Sequence, residues 1–494
     1  MTRFIQGEPR TQTTLLPERL EDYIRDDNPV RVIEAFVDEL DIEALGFQGM
    51  IPKVTGRPAY HPSTMLKLYI YGYLNRIQST RRLEREAGRN VELMWLLGRL
   101  TPDFKTIANF RRSNGKAIRK VCVEFVGLCR KLDLFSQALV AIDGSKFKAS
   151  NNRDKNFTPA KMKRRLEEIE RSIGRYFSRL DRVDREEPTA DVQSGKLQEK
   201  IDSLKEEMKR LKALETEMLA TPDKQISLND PDARSMRTRG TGMVGYNVQT
   251  AVDAEHHLIV AHEVTNEGSD RGMLSMMAIK ARTEMGVEEL EVVADRGYYK
   301  SQEIKACDDE DITVYIPKTR TSNNRAHGLF DRQDFRYIAE TDEYRCPAGE
   351  RLPNRTTTKD SGKTMYRYWS SNCQSCPLKP KCTSGRERRV SRWEHEAILD
   401  KMEHRLARDP EKMRTRRETV EHPYGTLKAW MGATHFQMTT LKHVGTEMSL
   451  HVLAYNLRRV MNIMGVESLI EAIKALLLTY LCLFRPTYGL RGAG

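Results

Sequence analysis

The sequence predicts an α/β protein in which a mixed sheet is flanked by helices, with a separate helical domain at the N-terminus. Two apolar runs, Leu139–Ile142 and Leu290–Ala294, are typical of buried strands, and an aspartate follows each of them directly. In several segments of the first 135 residues, apolar residues recur at helical spacing, which predicts helices there. A heptad pattern between the two strands predicts an inserted pair of helices.

The composition limits the function classes. The 494 residues include 82 Lys+Arg against 70 Asp+Glu, a formal net charge of +12. This length allows two to four structural units, and the basic excess favours a polyanionic partner such as nucleic acid, although charge alone is weak evidence. Neither a signal peptide nor a membrane span is indicated, and the eight cysteines do not form a disulfide pattern. We therefore expect a cytoplasmic, nucleoid-associated protein without a membrane partner.

Residues 1–135 are interpreted as a helical DNA-binding domain. Helices are predicted over Pro29–Leu45, over Thr64–Ile77 with Ser63 as its cap, from Ser79 onward, and over Thr101–Arg112 with a proline just inside its start. Short helices with basic faces can enter a DNA groove, but an ordinary helical domain with solvated charges has the same pattern. The candidate DNA contacts here are Arg81, Arg82, Arg111 and Arg112.

Residues 136–316, together with 392–465, are predicted to form the α/β domain. Residues 155–222 interrupt it with two heptad segments, which should pair as an antiparallel coiled-coil hairpin. A role as a spacer or a dimer contact is favoured for this hairpin, and contact with DNA is the alternative. A β-hairpin over residues 242–264, a helix over Met273–Met285 and a strand over Ile312–Ile316 complete this part. The heptad positions are Met162, Leu166, Ile169, Ile173, Tyr176, Leu180 and Val183, then Leu197, Ile201, Leu204, Met208 and Leu211.

Asp143 and Asp295 are the candidate chemical groups of this domain. If each follows the C-terminal end of its strand, the two carboxylates lie at one edge of the sheet. Two neighbouring carboxylates disfavour each other's ionised form because like charges repel. A divalent cation bound between them would offset this repulsion and hold both ionised. The alternative is that each aspartate only caps the turn that follows its strand.

An insert over residues 317–391 is rich in Arg, Thr, Tyr and Cys and lacks long periodic runs. Its Cys-x2-Cys pair and two further cysteines suit a tetrahedral zinc ion, while reduced structural cysteines are the equal alternative. The possible zinc ligands are Cys346, Cys373, Cys376 and Cys382.

A basic helical stretch follows the insert. On a continuous α-helix, Arg417, Glu421 and Lys428 share one face, where cations could hold phosphates on either side of a carboxylate. The alternative is a surface ladder of salt bridges. Pro423 should kink this helix or mark a restart. A last helix over Thr446–Ile463 is expected to pack on the sheet, and the tail over residues 466–494 is given no role.

With these motifs in view, the chain resembles a DDE transposase of a bacterial insertion sequence. The resemblance rests on Val140–Gly144, on Val292–Tyr298, and on Arg417-x3-Glu421-x6-Lys428, and it spans about residues 30–465. The last motif fits three of the four positions of the family's Tyr-Arg-Glu-Lys signature, because the tyrosine position is Arg414 here. The resemblance implies an RNase H-like catalytic domain that follows a helical DNA-binding region.

The resemblance also implies the chemistry. Asp143, Asp295 and Glu421 would hold two Mg²⁺ (or Mn²⁺) ions for strand cleavage and strand transfer at the element ends and in target DNA. Glu418 is the rival third ligand, but only Glu421 has the signature spacing. A homodimer is expected in the DNA complex. The DNA contacts implied in this domain are Arg296, Tyr298, Arg414, Arg417 and Lys428.

Two other functions remain open from the sequence. A non-transposing endonuclease on the same fold would need the same carboxylates but no strand transfer. A DNA-binding regulator derived from a transposase would need none of them, and the presence of all three argues against it without proving activity.

Overall fold

The computed structural model describes residues 19–51, 58–135, 137–150, 155–186, 191–221, 223–238, 242–319 and 322–484. It is a mixed α/β structure with an N-terminal helical region, as the sequence predicts. The chain forms two compact units. The first unit contains residues 1–136, 144–268 and 421–494, and the second contains residues 137–143 and 269–420. None of the described helices is long and apolar enough to cross a membrane.

The N-terminal part of the first unit contains six α-helices among its described residues. Two of their starts differ from the prediction. The side chain of His61 rather than Ser63 caps the second helix, and Asp103 caps the fifth helix, so that Pro102 lies before the helix instead of inside it. The helices are α1 (Pro29–Asp38), α2 (Pro62–Leu74), α3 (Thr80–Ala87), α4 (Val91–Leu96), α5 (Phe104–Ser113) and α6 (Gly115–Lys131).

Two C-terminal helices of the same unit, numbered here as α13 (Leu441–Met464) and α14 (Val466–Phe484), pack on these helices. α13 contacts α2 and α6, and α14 contacts α1, with Leu469 and Ile473 buried in the shared core. The first turns of the tail, which the sequence analysis left without a role, therefore belong to the core of the first unit.

The first unit also contains β4 (Arg234–Met236), β5 (Met243–Asp253) and β6 (Ile259–Thr265). β5 and β6 form the predicted antiparallel hairpin, and β4 pairs with the other edge of β5. α13 packs on β6 as expected, because the Asn456 side chain accepts a hydrogen bond from the Ile259 N–H (2.9 Å) and donates one to the Ile259 carbonyl (2.8 Å). This amide fills the backbone positions that a neighbouring strand would otherwise take.

The inserted segment consists of β2 (Asn156–Phe157), α7 (Pro159–Glu186), α8 (Asp191–Ala220) and β3 (Ile226–Ser227). α7 and α8 contact each other through predicted heptad positions, among them Met162, Ile169 and Leu211. Arg165 in the first half of α7 pairs with Glu207 in the second half of α8 at 2.8 Å, as in two antiparallel helices. The side chain of Val183 lies outside the described residues.

β1 (Leu139–Lys148) passes from the second unit into the first at residue 144. In the second unit, its residues 139–142 pair in parallel with β7 (Leu290–Ala294), which pairs in parallel with β8 (Ile312–Tyr315). The strand was expected to end at Asp143 but continues to Lys148, so Asp143 lies within a strand. Only Asp295 follows a strand end as predicted. The helix α9 (Leu274–Met285) precedes β7, and the helix α10 (Ser301–Asp308) connects β7 to β8.

The cysteine-bearing insert contains strands that its sequence did not indicate. They form an antiparallel sheet in the order β13-β12-β11-β10-β9, around a core that includes Tyr344, Leu352 and Tyr368. The strands are β9 (Arg336–Ile338), β10 (Glu343–Arg345), β11 (Arg351–Asp360), β12 (Lys363–Tyr368) and β13 (Val390–Trp393). Then follow α11 (Glu396–Arg408) and α12 (Lys412–Gly425), and α12 contains Pro423 and leads into a π-helical turn, Thr426–Trp430.

Candidate functional site

The two predicted aspartates lie side by side in the second unit. Ile142 of β1 is the register partner of Ala294 of β7, so Asp143 and Asp295 are the next residues on two adjacent parallel strands. One guanidinium lies between them: Arg416 Nη2 is 2.9 Å from Asp143 Oδ1 and 3.9 Å from Asp295 Oδ2. Both carboxylates can therefore reach a single cation.

Asp295 also has the capping role that the sequence analysis left as the alternative. Its Oδ1 accepts a hydrogen bond from the Gly297 N–H at 2.7 Å, which closes a short 3-10 turn after β7. A Cβ at Gly297 would lie 2.8 Å from that same oxygen. The glycine therefore leaves room for the aspartate to bind the turn with Oδ1 while Oδ2 faces Arg416.

Two residues on one face of α12 hold this helix against the strands of the second unit. Lys412 forms an ion pair with Glu291 of β7, and Arg416, four residues later, reaches the two aspartates. Burial of the Glu291 carboxyl would raise its pKa, but hydrogen bonds from Lys412 and Tyr315 lower the pKa below its usual value. Arg416 is the functional-site residue that the sequence analysis did not single out. The i,i+4 spacing of the two cations was the available signal.

The neighbouring residues of α12 face solvent. Arg414 and Arg417 are exposed, and so is Glu418, which pairs with Arg414 at 3.0 Å. Glu421, also exposed, is the first residue of the last stretch of the first unit. The prediction that residues 417, 421 and 428 share a face assumed a continuous α-helix, which the π-helical turn after Pro423 interrupts.

A basic cleft lies in the first unit, on residues that follow Asp143 in the chain. Lys428 Nζ, in the π-helical turn, donates hydrogen bonds to Ser145 Oγ (2.6 Å) and to the Lys146 carbonyl (3.0 Å), and it lies 4.6 Å from the centre of the Phe147 ring. The cleft has a volume of about 730 Å³. Its described lining comprises three cations and no carboxylate: Gly144, Ser145, Lys146, Arg237, Thr238 and Lys428.

Two predicted DNA contacts are wrong, because the side chains are buried. Arg111 is 6% exposed and donates a hydrogen bond to the Tyr73 hydroxyl at 2.8 Å, since its position on α5 places it on the inner face with Ile107. Tyr298, the last residue of the turn that Asp295 caps, is fully buried. The remaining candidates, Arg81, Arg82, Arg112 and Arg296, are exposed.

The four cysteines of the insert line one small cavity of about 30 Å³. Burial raises the pKa of the Cys382 thiol, Arg388 opposes this, and the other three cysteines lie close enough to raise the pKa further. Within the described residues, however, no three His, Cys, Asp or Glu side chains are arranged as a metal site, either here or around the aspartate pair. Zinc binding by the cysteines stays a prediction.

Comparison with known proteins identifies the class. Residues 18–113 match the family model described as a transposase domain (DUF772), and residues 345–461 match the one described as a transposase DDE domain. No curated protein matches the chain significantly. A solved piggyBac transposase synaptic complex with hairpin DNA is 9% identical, with 93% of this chain and 83% of that chain covered, but its TM-score of 0.29 is too low to carry an argument.

The chain carries a transposase domain and a transposase DDE domain, which is consistent with a DDE transposase. It is therefore an enzyme, and the domains of this class generally use divalent metal ions. The DDE match includes Arg417, Glu421 and Lys428, and the two aspartates precede it. Asp143 and Asp295 fit such an ion, because carboxylate oxygens are the ligands that Mg²⁺ prefers and this pair already binds one cationic group.

Proposed function

We propose that this DNA transposase binds the ends of an insertion sequence and catalyses metal-dependent strand cleavage and strand transfer, on an RNase H-like sheet. The observation that carries the proposal is the placement of Asp143 and Asp295, on adjacent parallel strands, around one guanidinium. Two ionised carboxylates on adjacent strands repel each other, and a cation that lies between them offsets this repulsion. This arrangement supports a site for divalent ions.

Glu421 is proposed as the third carboxylate of the site. It has the signature spacing from Arg417 and Lys428, and it lies within the stretch that matches the DDE family model. Glu418, the rival, already pairs with Arg414 at 3.0 Å. Two bound Mg²⁺ or Mn²⁺ ions would supply a nucleophile at neutral pH and would stabilise the leaving oxygen in the displacement at phosphorus.

The chain's own residues would position the DNA. The cleft around Lys146, Arg237 and Lys428 offers positive charge, and Ser145 and Thr238 offer hydroxyl groups, which together suit the phosphates of a DNA strand. Such contacts give affinity and register rather than sequence recognition. The exposed arginines are proposed as further backbone contacts: Arg81, Arg82, Arg112, Arg296, Arg414 and Arg417.

Three further features belong to this proposal. The protein acts as a homodimer in the DNA complex, in which the hairpin of α7 and α8 serves as an antiparallel coiled-coil spacer or dimer contact. It acts on DNA in the nucleoid. The cysteine cluster binds one structural zinc ion, supported by the convergence of four cysteines on one cavity.

The test is cleavage of a labelled duplex that carries the element's ends, in Mg²⁺ and in EDTA. Asp143→Asn, Asp295→Asn and Glu421→Gln should lose nicking by at least about 10²-fold, because carboxamides are poor ligands for a hard cation. Glu418→Gln is the matched control on the same helix and should cleave like the wild type.

The other outcomes separate the alternative functions. Cleavage that ignores the element's ends would identify a non-transposing endonuclease. Binding of the ends without cleavage in any divalent metal would identify a regulator. Loss of cleavage in Glu418→Gln but not in Glu421→Gln would show that Glu418, and not Glu421, is the third ligand.

A further inference from the structure

Arg416 occupies the position between the two aspartates that a divalent cation would require. Its Nη2 contacts Asp143 Oδ1 at 2.9 Å and lies 3.9 Å from Asp295 Oδ2, and its side chain is only 17% exposed. The Arg416 Nε is buried and has no hydrogen-bond partner among the described residues. The guanidinium is therefore bound to the carboxylates at one end and incompletely satisfied at the other.

The guanidinium and a metal ion compete for the same pair of carboxylates. Mg²⁺ and similar ions lie about 2.0–2.1 Å from each ligating oxygen. The guanidinium already forms a hydrogen bond with Asp143 Oδ1, and two cations held by the same half-buried carboxylates would repel each other. The unsatisfied Nε lowers the cost of moving Arg416 away, since a buried donor without a partner is itself unfavourable.

We propose that Arg416 is a positioning residue that serves as the built-in counter-ion of the aspartate pair before metal binding. It offsets the repulsion between two adjacent carboxylates and keeps them close together, and a divalent ion must displace it to bind. This inference rests on the proposed function, because it concerns the same metal site. Arg416 therefore stabilises the metal-free protein and sets the concentration of metal at which the site fills.

The experiment measures metal binding and melting rather than activity. The full-length protein is freed of metal with EDTA, and Mn²⁺ alone is titrated by calorimetry, with Tm recorded at each concentration. Arg416→Met removes the charge but keeps the aliphatic stem. Arg414→Met is the matched control, because Arg414 lies on the same helix but is exposed and pairs only with glutamates in the described structure.

Removal of the competing cation should strengthen Mn²⁺ binding. We expect Arg416→Met to lower the Kd for Mn²⁺ by about fivefold or more, and to lower the metal-free Tm in a way that Mn²⁺ restores. Arg414→Met should leave both quantities unchanged. If Arg416→Met does not fold, Arg416→Gln, which keeps a donor without the charge, should show the same tightening.

Two negative results are distinguishable. If Mn²⁺ binding depends on Asp143, as judged from Asp143→Asn, but the Arg416 variants bind Mn²⁺ no more tightly than the wild type, the competition is refuted and Arg416 only attaches α12 to the strands. If no Mn²⁺ binding depends on Asp143, the metal site of the proposed function fails and the inference fails with it. Tighter binding without DNA cleavage would leave the inference standing and refute the proposed reaction.

Discussion

A substitution at Gly245 tests how closely two strands approach each other in the first unit. A Cβ at this buried position of β5 would lie 2.0 Å from the Phe147 carbonyl oxygen and 3.1 Å from the Lys148 Cα, whereas real Cβ contacts are at least 3.0 Å. In Gly245→Ala the two strands must therefore move apart by about 1 Å, the difference between 2.0 and 3.0 Å. The displaced atoms are backbone, so no flexible side chain can yield instead.

The cost follows from two terms. Overpacking in a well-packed interior costs about 1–3 kcal/mol. The neighbouring hydrogen bond from the Ala149 N–H to the Val244 carbonyl, 3.1 Å long, would weaken, at a further cost of about 1 kcal/mol. The free energy of unfolding should therefore fall by about 2–4 kcal/mol in total, and the Tm of the first unit by roughly 3–6 °C.

Differential scanning calorimetry of the full-length protein measures this change. The matched control is Gly174→Ala on the exposed face of α7, where a Cβ would meet no atom within 4 Å. This variant should be as stable as the wild type or more stable by about 0.5–1 kcal/mol, because alanine favours the helix. A Tm for Gly245→Ala within 1 °C of the wild type would refute the close approach of β5 to β1.

Three further predictions concern buried or half-buried groups. Burial raises the pKa of Asp253 to about 6, so the folded state favours the protonated form and stability falls as the pH rises from about 4 to 6. In the wild type this fall in the free energy of unfolding should amount to about 3 kcal/mol, and it should be absent from Asp253→Asn. The difference between the Tm–pH curves of the two proteins measures it. Arg111→Met should lower stability by about 1–3 kcal/mol in urea melts, because the buried Tyr73 hydroxyl loses its donor, while the folded protein keeps its DNA affinity, in contrast to Arg112→Gln. Elemental analysis should find about one zinc ion per chain in the wild type and none in Cys376→Ser. If the wild type contains no zinc, the four cysteines are reduced structural residues.

The strand β7 and the carboxylate at its end could be predicted because their signals are local. The run Leu290–Ala294 is apolar throughout, and Asp295 ends it, so burial and the strand end coincide. β1 was predicted too short, since its second half, after Asp143, alternates small, polar and aromatic residues and pairs with β5 rather than entering a fully apolar environment. Partner strands that are distant in sequence decide where such a strand ends.

Arg111 and Arg416 show why a basic residue cannot be assigned to DNA from the sequence alone. Both are arginines on helices with other cations nearby, yet Arg111 lies in the core beside Tyr73, and Arg416 bridges two aspartates. Whether each arginine faces solvent or the interior depends on which side of its helix packs on the rest of the protein. A helix rich in charged residues has only a weak apolar stripe, so its buried side is difficult to predict from the sequence. For Arg416 the deciding partners, Asp143 and Asp295, are more than 100 residues away in the sequence. Its role could be inferred only once the two aspartates had been placed on adjacent strands. Because Arg416 affects metal binding only if it lies between these aspartates, the Kd for Mn²⁺ in Arg416→Met directly tests their placement.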